Sequence, residues 1–75
     1  MKPSPEQILR EHFTPRAPMT APGRVILVDL GEARKSDRYV TWWQNGETGG
    51  CVWGHYFDRK TEAVIDFEAR AARGY

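Results

Sequence analysis

The sequence predicts a small α+β domain in the order α-β-β-β-α. Its three-stranded antiparallel meander is covered on one face by the carboxy-terminal helix. Three observations carry this. Within residues 38–57, RYVTWWQNGETGGCVWGHYF, two aromatic, β-prone runs flank a Gly-rich turn, which is a hairpin signal. Residues 24–30, RVILVDL, form an aliphatic and mostly β-branched run, suited to a buried strand. Residues 58–73 bring Ala63, Val64, Phe67 and Ala71 to one side at helical spacing.

The 75 residues make one domain. A chain this short buries only about 60% of its unfolded surface, so its large side chains matter. All three tryptophans, with Tyr39 and Tyr56, lie in residues 38–57. Each such ring can bury about 150–250 Å², enough for a few to support a core without disulfides.

Residues 4–13 read as a helix. Ser4 can cap it, Pro5 suits its first position, and Gln7 has capping-box spacing. Ile8, Leu9, His12 and Phe13 supply an apolar stripe that must dock, because about ten residues are not stable alone. Residues 14–23, TPRAPMTAPG, read as an extended proline-rich connector. The PxxP spacing of Pro15-Arg16-Ala17-Pro18 is taken as compositional. Residues 24–57 form the sheet, with residues 31–37 as a polar loop between its first two strands.

The turn at residues 45–50 holds Asn45, Gly46, Gly49 and Gly50, which tolerate positive φ. Symmetric closure pairs Gln44 with Cys51, Trp42 with Trp53, Val40 with His55 and Arg38 with Phe57. The opposite face then pairs Trp43 with Val52, Thr41 with Gly54 and Tyr39 with Tyr56. A slip of one residue would exchange the faces. Residues 58–73 form the last helix, capped by Asp58 or Thr61 and ended by Gly74.

Charge is nearly balanced, 11 basic against 10 acidic residues, which does not favour nucleic acid. Cys51 is the single cysteine, so no internal disulfide forms, as in a reducing cytoplasm. No apolar run approaches the roughly 18 residues of a membrane span, and the first residues lack a signal-peptide apolar region. The expected location is cytoplasmic, with no membrane partner.

No catalytic or metal constellation emerges. Four residues apart on one strand, Cys51 and His55 are separated by roughly 13 Å, too far for a thiolate–imidazole pair. One Cys and two His fall short of a four-ligand zinc site. The glycines at 46, 49 and 50 join two strands, whereas phosphate loops run from a strand into a helix. The expectation is no enzyme, no metal and no cofactor.

The aromatic face carries the functional expectation. Tyr39, Thr41, Trp43, Gly54 and Tyr56 share a sheet face, and Gly54 leaves a slot between the rings where another chain could enter. Exposed Tyr and Trp are interface anchors. His55 is a hydrogen-bonding neighbour of that face. The expected function is a small non-enzymatic protein-binding accessory or inhibitor-type protein, the size class of phage and plasmid accessory factors. Its partner is another protein or a second copy, a homodimer through a sheet edge or the aromatic patch.

The helix–strand–strand–strand–helix order resembles the double-stranded RNA-binding domain family over most of the chain. That family opens its last helix with a lysine cluster, where this chain has Arg59-Lys60 before Thr61-Glu62-Ala63. The resemblance implies nucleic-acid binding as the alternative function, through phosphate contacts or base stacking on the aromatic sheet.

Overall fold

The computed structural model describes residues 2–15 and 21–75. A single 3-10 turn, Pro5–Gln7, precedes β1 (Ile8–Thr14), β2 (Gly23–Asp29), β3 (Tyr39–Asn45), β4 (Cys51–Phe57) and the helix α1 (Lys60–Arg73). The strands form one antiparallel sheet in the order β1-β2-β3-β4. The fold is α+β, an antiparallel meander with its carboxy-terminal helix packed on one face.

The helix expected over residues 4–13 is replaced by that turn and by β1. The cap signal is real but short-lived: Gln7 Oε1 accepts from the Ser4 N–H at 2.9 Å, and the Gln7 N–H donates to the Ser4 carbonyl at 3.0 Å. From Ile8 the chain extends. The cause lies in β2, whose Val25, Ile26, Leu27 and Val28 are buried on both sheet faces. A strand so enclosed must find ladder partners for its backbone on both edges, since buried N–H and C=O groups go unpaired only at a cost. An isolated short helix cannot compete with that pairing. Of the expected connector, Thr14 ends β1 and Gly23 opens β2. Arg16-Ala17-Pro18 of the PxxP spacing lies outside the described residues.

Each sheet face has its own core. Under α1, Val25, Leu27 and Trp43 pack with Ala63 and Phe67, joined by Tyr39, Phe57 and Val64. On the other face Ile26, Val28, Val40 and Trp42 pack with Ile8, Leu30 and Cys51. The amino-terminal arm crosses this second face. It starts at the β3–β4 turn, where the Lys2 side chain lies against Gly49, and ends at Ile8 beside Val28. Full burial of each of these aliphatic side chains contributes about 1.5–3 kcal/mol.

Gly23 is dictated by a close approach. A Cβ there would lie 2.3 Å from the Trp43 ring and 2.5 Å from the Gln44 carbonyl. At the far end of the helix, Gly74 takes φ 95 and its N–H donates to the Arg70 carbonyl at 2.7 Å, the stop expected from the sequence. At the near end Arg59 takes the cap position without a side-chain bond, while Asp58 Oδ1 instead accepts from the Asp37 N–H at 2.7 Å.

The β2–β3 loop is closed by a two-pronged ion pair. Arg38 donates to Asp29 Oδ1 at 2.7 Å and Oδ2 at 2.8 Å. The Arg38 bond holds the Asp29 carboxyl below its ordinary value of 3.8, helped by the Gly31 N–H. A carboxyl whose pKa is lowered by folding stabilises the fold above its unfolded value and loses that contribution as pH falls through its folded value. Asp29→Asn is therefore expected to flatten the acid limb of stability. Thermal midpoints recorded between about pH 6 and pH 2 should converge with those of the wild type at the acid end; parallel curves would remove Asp29 as the source.

Candidate binding surface

The surface is built by a bulge in β4. Between the pairs Trp43↔Val52 and Thr41↔His55, β3 advances two residues and β4 three. The extra residue lies at Trp53-Gly54. Trp53 adopts φ 57, an outlier for so bulky a side chain, costing about 1–3 kcal/mol. Near the turn the register is the one the sequence implied, with Gln44 opposite Cys51 and Trp43 opposite Val52. Beyond the bulge it is shifted by one, giving Val40↔Tyr56 and Tyr39↔Phe57.

That shift redistributes the expected site residues between the faces. Tyr39, Thr41 and Trp43 point to the helix side. Trp43 is 1% exposed and its indole N–H donates to Thr14 Oγ1 at 3.1 Å. Thr41 is fully buried and donates to Asp66 Oδ2 at 2.6 Å. Tyr39 packs against the core under α1, with the Arg38 guanidinium 5.3 Å from its ring centroid. The face expected to stay open is thus the one α1 seals, because Val25 and Leu27 of β2 sit on it and demand a cover. Tyr56 turns to the opposite face and meets Trp42 edge-on at 6.2 Å. The slot expected at Gly54 is filled from within the chain, since a Cβ there would lie 2.6 Å from Trp42 Nε1.

Polar side chains of α1 tie the bulge down. Arg70 is 1% exposed. Its Nη1 donates to the Trp53 carbonyl at 2.7 Å, the Thr41 carbonyl at 3.0 Å and Thr41 Oγ1 at 3.1 Å. Burial lowers the pKa of this guanidinium and the nearby Asp66 carboxylate opposes the shift, so it remains a charged donor. One turn earlier, Asp66 Oδ2 lies 3.0 Å from His55 Nδ1. His55, Thr41, Asp66 and Arg70 thereby hold β3, β4 and the helix together. Cys51 packs with the Trp42 cluster on the other face from His55. Burial raises the pKa of its thiol, the opposite of what a reactive thiolate needs. Among the described residues, no three His, Cys, Asp or Glu side chains gather as metal ligands.

Large apolar side chains are left open singly at Leu9, Phe13 and Ile65, and as a group along the rim of β4. Val52, Trp53 and Tyr56 are 42%, 45% and 47% exposed. Tyr75 meets the Trp53 ring at 6.0 Å, and the Arg73 guanidinium lies 4.9 Å from the Tyr75 centroid. Behind Trp53, the Trp43 ring is 6.0 Å away.

No family model, curated protein or solved structure matches the chain.

Val52 belongs to the face the sequence implies, beside Trp43, whereas Trp53, Tyr75, Asp66 and Arg70 are not among the site residues it indicates. One signal pointed to the bulge: a lone glycine inside a strand pattern marks such a position, and Gly54 follows Trp53. The chain order behind the resemblance to double-stranded RNA-binding domains is not present, because β1 stands where that family has a helix. Among the described residues, no helix is long and apolar enough to cross a membrane.

Proposed function

We propose that this chain is a small non-enzymatic protein-binding factor that engages its partner through the β4 rim, with Trp53 as the anchor and Val52, Tyr56 and Tyr75 around it. The observation that carries this reading is Trp53 itself. A bulky residue in a left-handed conformation is a strained one. Strain of this kind concentrates at binding and active sites, where the surroundings over-determine it. Here a buried arginine supports it from below, and the ring it presents is half open to solvent. Trp, Tyr and Arg are also the side chains that most often dominate interface energetics, and Trp53, Tyr75 and Arg73 stand together.

The test is a quantitative pull-down with tagged wild type and Trp53→Ala, alongside Ile65→Ala on the outer side of α1 as a control. Trp53→Ala is expected to reduce specific capture at least about tenfold, equivalent to about 1.4 kcal/mol, with the near-UV circular dichroism of a folded core retained. Capture equal to that of Ile65→Ala would end the assignment. A parallel titration with single-stranded oligonucleotide distinguishes base stacking on the same rings, which would be steeply weakened by salt.

A further inference from the structure

We propose that residues 2–7 are a releasable strap: the amino-terminal arm opens as a unit, hinged at the Leu9 bulge, and bares the second core while the rest of the fold stays closed. This concerns the face opposite α1 and does not rest on the reading of the β4 rim.

The two covers of the sheet are held differently. α1 is tied down by polar bonds as well as by packing. Arg70 donates to the Thr41 and Trp53 carbonyls, and the Thr41 hydroxyl donates to Asp66 Oδ2. The arm has no such ties. Among the described residues, no hydrogen bond or ion pair joins residues 2–7 to β2, β3 or β4. Its bonds are internal. The Ser4 N–H and hydroxyl donate to Gln7 Oε1 at 2.9 and 3.1 Å, and the Gln7 N–H donates to the Ser4 carbonyl at 3.0 Å. Pro3 and Pro5 carry no N–H, so neither has anything to donate to a ladder.

What the arm crosses is a complete core. Ile26, Val28 and Val40 are fully buried and Trp42 is 5% exposed, on the face away from α1. None of residues 2–7 is itself buried. The cover is therefore one layer thick, with water on its outer side.

The hinge is built into β1. The bulge at Leu9 separates the pair Ile8↔Val28 from the run that begins at Arg10↔Leu27. Release breaks apolar contacts and that one strand pair, while Arg10–Thr14 stay in the ladder. The Ser4–Gln7 turn travels intact, because its bonds close on themselves. Segments with so few ties open at a free energy below that of global unfolding.

Thiol labelling with iodoacetamide, in a Cys51→Ala background, tests this. Val28 and Val25 are both fully buried on β2 and lie on opposite faces. Val28→Cys reports the face under the arm, and Val25→Cys the face under α1. Val28→Cys is expected to be labelled at least about tenfold faster than Val25→Cys. Its rate should change little with urea below the unfolding transition, because opening exposes little surface. Deleting residues 2–7 should speed labelling of Val28→Cys by a larger factor than that of Val25→Cys. Equal rates at the two thiols, a steep urea dependence shared by both, or a deleted chain without the near-UV signature of a folded core would each overturn the strap. Should a cysteine variant not fold, acrylamide quenching of a Trp53→Phe chain replaces it. Deletion of residues 2–7 should then raise quenching by exposing Trp42, and unchanged quenching would overturn the strap equally.

Discussion

Arg70→Met is expected to destabilise the fold by about 3 kcal/mol, because it strips a charge-assisted donor from buried acceptors. A domain of this size has roughly 4–11 kcal/mol in all, so the loss is a large share. The Trp53 and Thr41 carbonyls and Thr41 Oγ1 each take a bond from Arg70 Nη1. Met fills much of the volume but donates nothing, and Asp66 would lose its cationic neighbour. Arg70→Lys should recover only part of the loss, since all three bonds come from Nη1 at the tip of the longer arginine and a lysine ammonium ends short of that position. Urea unfolding with an unchanged slope is the measurement. A midpoint indistinguishable from wild type for Arg70→Met would mean that the bulge holds itself. The variant should also bind less than its stability alone implies, because Trp53 loses the bond that fixes its backbone.

Trp43→Ala is expected to cost about 3–5 kcal/mol, the range for emptying a core aromatic site. Its ring fills the space over Gly23, touches the Trp53 ring, and satisfies Thr14 of β1. Deleting it therefore loosens the first strand as well as the core under α1. Trp53→Ala, at a half-exposed site, should cost about 1 kcal/mol or less. The pair separates the two roles that adjacent aromatics can play in this sheet. Comparable losses for both in thermal unfolding would contradict the assignment of Trp43 to the core and Trp53 to the surface.

Much of this arrangement was legible in the residues. β2, β3, β4 and α1 follow from aliphatic runs, a Gly-rich turn and a helical stripe, and Gly74 ends the helix as its type suggests. The register next to the turn is also readable, because the loop fixes Gln44 opposite Cys51. Three features escaped, each because a distant requirement outweighed a local signal, and the one that matters most for the site is the face α1 seals, fixed by Val25 and Leu27 beneath it. Ser4 and Gln7 do begin a helical turn, but β2 needs a neighbour on its outer edge and recruits Ile8–Thr14. The bulge at Trp53 is held by Arg70, a helix residue outside the apolar stripe whose burial only the assembled structure reveals. Since side chains alternate along a strand, that single extra residue reversed the expected sides of His55 and Tyr56.

The unequal shielding of the three indoles makes the molecule its own optical reporter. Trp42 and Trp43 are 5% and 1% exposed, against 45% for Trp53. Collisional quenching by iodide should therefore reach essentially one emitter. Anything that covers the β4 rim would shift that emission to the blue and protect it from quencher, so occupancy can be followed in unlabelled protein.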